Sequence, residues 1–236
     1  MTELLFLKDS YIKEFAASVV ECVQGGVVLN RTAFYIGGGG QPYDQGILST
    51  NGTEYPVNRV SRKDGKVIHF VEGDQPEIGS NVHGLLDWNR RYRLMRTHTA
   101  LHILSGIVWR DFGAKVTGGD MQPGTARMDF EMQHITSSFS DEIYEKVNQE
   151  VQAGRPINVG FLTRDEAELE PDLIRTKINL LPSDIREIRT IDISGLDLQA
   201  DGGTHVANTL EVGQVSIVGH ESKGRINKRL RIALQS

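Results

Sequence analysis

The sequence predicts an α+β chain: a small N-terminal β-barrel over residues 1–86, then an α+β domain over residues 87–236 in which a helix carrying an HxxxH pair lies over an antiparallel sheet. Three observations predict it. Residues 1–86 hold six or so short strand-like runs at 8–12 residue spacing, with almost no helical period. The run Trp88 to Arg110 reads as one long helix. Beyond it, helical and strand patterns alternate to the end of the chain.

In order, Glu21 to Asn30 is valine-rich around Gly25-Gly26 and reads as a hairpin. Arg31 to Tyr35 follows as a third strand. Gly46 to Thr50 leads into the turn Asn51-Gly52, and Tyr55 to Val60 returns. Lys66 to Val71 comes after Lys63-Asp64-Gly65, and Asn81 to Trp88 closes the barrel. The long helix ends near Gly113, and Thr125 to Glu131 alternates as a strand. Ser138 to Ala153 is an amphipathic helix with Ile143, Tyr144, Val147 and Val151 on one side and Gly154 as its stop. Thr163-Arg164-Asp165-Glu166 is a capping-box helix start. Ile185 to Ile193 is a strand, and Val215 to Gly219 and Leu230 to Leu234 form antiparallel strands.

At 236 residues, 39% hydrophobic and 24% charged, the chain can bury a core in one large or two small domains. A net charge of -5 excludes a basic field over the whole molecule, so any contact with nucleic acid must use local patches. The single cysteine, Cys22, excludes an intrachain disulfide framework. It lies in the apolar run Ala16 to Val23 and reads as a buried small hydrophobe. The segment MTELLFLKDS is too short and too acidic for a signal peptide, and no apolar run approaches the ~20 residues of a membrane span. A soluble, cytoplasmic protein is expected, with no membrane partner.

Within Arg96-Thr97-His98-Thr99-Ala100-Leu101-His102, two histidines stand four apart. On a helix both imidazoles leave the same face one turn apart and can share a divalent metal, although such pairs also arise by chance. A further ligand stands about a hundred residues later, in Asp201-Gly202-Gly203-Thr204-His205. His98, His102 and His205 would hold one zinc ion and leave a position for water, whose pKa falls towards ~7. Such a site hydrolyses esters or amides. His69 and His83 in the strand region, His134 and His220 have no partner at ligand spacing and read as surface or packed histidines.

Three other stretches carry two readings each. Gly37-Gly38-Gly39-Gly40 opens a segment running to Gly46, and it either lets another backbone or a ligand come close or is a flexible loop. It is no phosphate loop, since no Gly-Lys-Ser/Thr follows. Arg90, Arg91, Arg93 and Arg96 oppose the macrodipole at the start of the helix and form either a solvated face or a phosphate-binding patch beside the metal. Lys223 to Arg231 holds five cationic residues in nine, either protecting an edge strand or touching an RNA backbone.

HTALH at 98–102, GGTHV at 202–206 and GGGGQPYDQG at 37–46 together resemble the editing domain of alanyl-tRNA synthetase, and more closely its free-standing relatives, the alanyl-tRNA editing proteins of AlaX type. The likeness spans nearly the whole chain. It implies a trans-editing hydrolase that uses a zinc-bound water, one zinc per chain, to deacylate tRNA(Ala) mischarged with serine, or with glycine. A whole synthetase would need an ATP-binding aminoacylation domain, for which 236 residues leave no room.

The family's second motif is commonly Cys-x-x-x-His, and here Asp201 stands at the cysteine position. Asp201 either ligates through an oxygen or hydrogen-bonds the water or a ligating histidine, and the second reading is adopted. Closed structural sites favour cysteine, which speaks against a purely structural zinc. Thr117 matches a threonine suited to recognising the serine hydroxyl, which would spare correct alanyl-tRNA. A turn residue before Gly118-Gly119 is the alternative. The resemblance gives Gln41 the role of orienting the ester or the terminal adenosine; Gly38, Gly39 and Gly40 of the same motif are expected substrate contacts, as are Arg93, Arg96, Lys223 and Arg225 of the two cationic clusters. Two rivals stand beside this reading. One is editing of another aminoacyl-tRNA such as Ser-tRNA(Thr), because the threonyl-tRNA synthetase editing domain has similar metal motifs. The other is a non-catalytic, zinc-stabilised RNA-binding module.

Overall fold

The computed structural model describes residues 1–132, 137–170, 172–173, 187–222 and 224–235. His134, Lys223 and the first two residues of the expected strand Ile185 to Ile193 lie outside them. The chain divides into two compact units, Met1–Arg93 and Leu94–Ser236.

The first unit contains β1 (Glu3–Leu4), β2 (Glu14–Val23), β3 (Gly26–Leu29), β4 (Arg31–Thr32), β5 (Gly46–Thr50), β6 (Thr53–Lys63), β7 (Lys66–Val71) and β8 (Asn81–Leu86). Six of these strands close a barrel in the order β2-β3-β7-β6-β5-β8. Two of its hairpins turn on Asn51-Gly52 and Asp64-Gly65, where both residues of each pair have positive φ. Two-residue loops of that kind match the right-handed twist of the strands they join. The barrel is filled by inward residues that alternate along the strands, among them Phe15, Val19, Leu29, Leu48, Val60, Val67 and Val82, with Phe34 from the segment after β4. Cys22 packs against this core.

Arg31 to Tyr35, expected as a strand, is one only at Arg31–Thr32, paired in parallel with β1. The Thr32 hydroxyl accepts the Phe34 N–H at 3.1 Å, so a side chain takes the amide a ladder would use. The chain then leaves the sheet into the glycine segment.

Helix α1 (Trp88–Phe112) begins where the Asp87 carboxylate accepts the Arg90 N–H at 3.0 Å. It ends at Gly113, whose φ is +61° and whose N–H bonds Trp109 O. The second unit continues with β9 (Val116–Gln122), β10 (Thr125–Glu131), α2 (Ser137–Gln152), β11 (Ile157–Thr163), α3 (Arg164–Glu168), β12 (Glu187–Ile193), β13 (Asp197–Ala200), β14 (Val215–Ser222) and β15 (Asn227–Leu234). The capping box at Thr163 and Glu166 is present with both reciprocal bonds. One antiparallel sheet runs β14-β15-β10-β9 and another β11-β12-β13. No helix among the described residues is long and apolar enough to cross a membrane.

The cationic tail is not an edge. β15 lies between β14 and β10, and its arginines are engaged: Arg229 forms a bidentate pair with Asp129, and Arg231 bonds Glu221. β9 carries Thr117 at an irregularity. Val116 pairs with Phe130 and Gly118 with Asp129, so Thr117 is the extra, bulged residue.

Candidate metal centre

From Leu94 to Val108 every residue of α1 except Arg96 is buried. Five of those buried residues are polar: Thr97, His98, Thr99, His102 and Ser105. A buried polar group without a partner is costly, so each needs one. Thr97 Oγ1 accepts the Gly124 N–H at 2.9 Å, and Ser105 Oγ accepts from Gln199 Nε2 at 3.4 Å. The other three belong to one cluster.

His98, His102 and His205 meet with ring centroids 4.3–5.0 Å apart. Their outward nitrogens face the Asp201 carboxylate. His205 Nε2 lies 3.0 Å from Asp201 Oδ2, while His98 Nε2 and His102 Nε2 lie 3.7 and 4.0 Å from Oδ1. One ligand atom from each of these four residues falls within 4.8 Å of the others. The opposite ring nitrogens are held from behind. His102 Nδ1 is 3.2 Å from Asp197 Oδ2, His205 Nδ1 is 3.1 Å from Thr99 Oγ1, and His98 bonds the backbone of Thr204. Such partners fix ring orientation and aim the remaining lone pairs at a common point.

The local sequence explains how two segments a hundred residues apart reach each other. Gly106 sits in the helix where a Cβ would lie 3.2 Å from Asp197 Cβ and from the Leu196 side chain. A Cβ there would press Asp197 and Leu196 back by a few tenths of an ångström, so the glycine eases the approach that lets Asp197 reach His102. In the second segment, Asp201 Oδ2 accepts the Gly203 N–H at 2.6 Å, an Asx turn that presents His205 four residues on. Arg189 braces the same turn by donating to Asp201 O at 2.8 Å.

Burial sets the charges. It lowers His98 to about 4, with Asp201 opposing the shift. Burial likewise pushes His205 well below its ordinary value, helped by the neighbouring His98. Burial opposes the charge on Asp201, but His98 and the His205 hydrogen bond outweigh it and hold the carboxyl well below the usual range. Burial thus favours the neutral form of His98 and His205, beside a carboxylate held ionised at Asp201. A metal needs its histidines deprotonated, and three imidazole nitrogens beside a carboxylate suit zinc with a position left for water. Donors of a tetrahedral site with bonds of ~2.0–2.1 Å stand about 3.4 Å apart, and the nitrogens here stand 3.0–4.0 Å from the Asp201 oxygens.

The other expected site residues have definite places. In the first unit, Gly38 and Gln41 bond each other reciprocally, N to O, at 3.0 and 2.9 Å. The loop between them, Gly39-Gly40, has φ of +57° and +85°. The glycine segment is thus a tight two-residue hairpin, pinned by the Tyr35 hydroxyl donating to Gly38 O. Its tip, Gly38 and Gly39, is exposed, and Gln41 is buried. In the second unit Thr117 is exposed and its hydroxyl donates to Asn227 Oδ1 at 2.8 Å. Arg93 and Arg225 are exposed. Arg96 donates to Val212 O and Gln235 O.

Two further arginines of the helix start serve the barrel unit. Arg91 is fully buried, paired with Asp44 and bonded to Ser10 O, and Arg90 bonds Tyr43 O. The remaining described histidines read as expected. His69 is buried, whereas His83 and His220 are exposed. Sequence reasoning missed Asp197, Thr99 and Arg189. The one signal for Asp197 is an acid between Leu196 and Leu198, a charge set where a strand expects apolar neighbours.

A fold of this kind, barrel unit and histidine-bearing α+β unit, matches two families. The tRNA synthetases of class II (A) match over residues 4–90, and the threonyl and alanyl tRNA synthetase second additional domain matches over residues 188–231. The chain is 39% identical over 233 residues to the alanyl-tRNA editing protein AlaX-M of Saccharolobus solfataricus, covering 98% of each chain. It is 36% identical over 242 residues to the AlaX-M protein of Methanosarcina barkeri, covering 99% of each. An alanine–tRNA ligase of Pyrobaculum aerophilum is 38% identical over 224 residues, 92% of this chain but 25% of the ligase. The chain belongs to the family of alanyl-tRNA editing proteins of the AlaX-M type.

Proposed function

We propose that the protein is a zinc-dependent deacylase acting on tRNA(Ala) mischarged with serine, and secondarily with glycine. The observation that carries the reading is the convergence of His98, His102 and His205 on Asp201, in a chain of the AlaX-M family. The three imidazoles hold the metal and Asp201 supplies the negative charge of the set. When bound, zinc supplies an acidified water and a Lewis acid for the ester carbonyl. Asp197, Thr99 and the Thr204 backbone hold the rings in place and so preserve the donor geometry.

Thr117 is assigned the serine hydroxyl. Its own hydroxyl hydrogen goes to Asn227, which leaves oxygen lone pairs to accept a hydrogen bond from the serine side chain. Alanyl-tRNA would leave that acceptor unpaired, which disfavours it. Gln41 and the Gly38–Gly40 hairpin are assigned to the ester and the terminal adenosine, on the family resemblance alone. Arg93, Arg225 and Lys223 are assigned to the RNA backbone. Arg96 is assigned there too, although its bonds to Val212 and Gln235 make it the weakest member of the group.

The test is deacylation of Ser-tRNA(Ala) by the zinc-loaded protein. The double substitution His98→Ala, His102→Ala abolishes turnover on this account, and retained activity overturns it. One observation favours a second reading: the matched additional domain is common to threonyl and alanyl synthetases. Serine carried on tRNA(Thr) therefore belongs in the same assay, and faster hydrolysis there would transfer the assignment. A non-catalytic zinc module is separated by chelation. Loss of fold with the metal supports the module, and loss of turnover with the fold kept supports catalysis.

A further inference from the structure

The run 59–66 carries Arg59, Arg62, Lys63 and Lys66 against one acid, Asp64, in a chain whose net charge is -5. The register of β6 and β7 sets Arg59, Lys63 and Lys66 on the barrel's outer face, whereas Arg62 stands opposite Val67 in the other row. Arg59 stands opposite Phe70, Ser61 opposite Ile68, and Lys63 opposite Lys66. The inward residues Val60, Val67, His69 and Val71 alternate with them. Between the outer rows lies a cleft of about 420 Å³, with Arg59, Lys63, Asp64 and Lys66 at its rim and Ile68 and Phe70 on its floor.

Fold stability does not account for this arrangement. Like charges directly opposite in an antiparallel pair are destabilising, and Lys63 faces Lys66. Lys66 pairs with Glu21 at 2.7 Å, but among the described residues Arg59, Arg62 and Lys63 have no ion pair. The Arg59 guanidinium carbon lies 4.5 Å from the centre of the Phe70 ring, a cation–π contact over the apolar floor. A planar arginine beside two lysines is the donor set that recognises phosphodiester oxygens.

We propose that this cleft grips the sugar-phosphate backbone of an RNA, the tRNA substrate, at a site on the barrel separate from the metal-bearing unit. The choice of tRNA rests on the proposed function; the choice of a polyanionic backbone rests on charge complementarity alone. The contact reads phosphate and not sequence, so it adds affinity without selecting bases.

The test measures binding of uncharged tRNA by fluorescence anisotropy from 50 to 300 mM salt, with Arg59→Glu/Lys63→Glu, the milder Arg59→Gln/Lys63→Gln, and a charge-matched control, Lys8→Glu/Arg31→Glu. The expected result is at least a tenfold loss of affinity for the glutamate pair and an intermediate loss for the glutamine pair. The slope of log affinity against log salt becomes shallower by about two, one per lost phosphate contact. Hydrolysis of a small serine ester of adenosine is unchanged. Affinity and slope equal to the control would overturn the proposal, as would loss of small-ester hydrolysis in step with tRNA binding. So would unchanged tRNA binding with lost binding to phosphatidylserine vesicles, which would assign the cleft to a lipid surface. Because binding is read without turnover, a wild-type protein that binds tRNA through the cleft but fails to deacylate it would sink the proposed function and leave the cleft standing.

Discussion

Replacing Asp197 tests how the imidazoles are aimed. Its carboxylate is 3% exposed, and Oδ2 accepts both from His102 Nδ1 at 3.2 Å and from Gln199 Nε2 at 2.6 Å. Asparagine fills the same space and can still accept both bonds through its carbonyl oxygen. It loses only the charge, and charge-assisted bonds are roughly twice as strong as neutral ones. Leucine removes the acceptor altogether and leaves the His102 ring free to rotate. Loss of a partner that orients a metal-bound histidine costs about 10–100-fold in metal affinity, or about 1.4–2.8 kcal/mol. Asp197→Asn should therefore weaken zinc binding about tenfold and Asp197→Leu about a hundredfold. The assay is competition against a zinc-binding dye, with deacylation followed as a function of free zinc. The half-saturating zinc concentration should move right in that order, while the rate at saturating zinc falls less. A leucine variant that binds zinc within threefold of wild type would refute the reasoning.

Three further outcomes follow from residues of the barrel unit. His69 is held neutral inside the barrel, with burial lowering it to about 4, and its Nε2 lies 2.8 Å from Thr32 Oγ1. The unfolded chain takes up a proton near 6.5 and the folded chain only near 4, so stability is full above 6.5 and falls as pH drops between those values, by up to about 3 kcal/mol. Urea midpoints for wild type and His69→Gln should converge as pH falls through that window, and parallel curves would contradict this. Arg91→Leu leaves Asp44 charged and buried, and should cost about 3–5 kcal/mol in urea unfolding. Gly39 has open space around a Cβ but a φ of +57°, so Gly39→Ala should cost about 1 kcal/mol and Gly39→Asn less. Equal costs for the two would show that conformation is not what selects glycine there.

Local physics made much of the fold readable. The Asn51-Gly52 turn, the alternation along Thr125–Glu131 and the capping box at Thr163 each act within a few residues, and each stands where the sequence places it. The metal-site histidines were readable because helical spacing puts His98 and His102 on one face and the GGTH segment names a third. What escaped depends on distant partners. β9 contains Gly118-Gly119-Asp120, residues poor in strand propensity, and is a strand because β10 pairs with it. Arg91 reads as one more surface cation until Asp44, 47 residues away, is placed beside it. Asp197 is placed beside His102 by β13, and Gly106 gives it room. Arg229 and Arg231 looked available for RNA because the acids that bind them, Asp129 and Glu221, lie on neighbouring strands.

The central claim is that three imidazoles from two distant segments share one catalytic cation. Anomalous diffraction at the zinc edge from zinc-loaded crystals tests it most directly. One peak per chain is predicted, within ~2.0–2.1 Å of nitrogens from His98, His102 and His205. A peak elsewhere, or a His205 ring turned away from the metal, would contradict it.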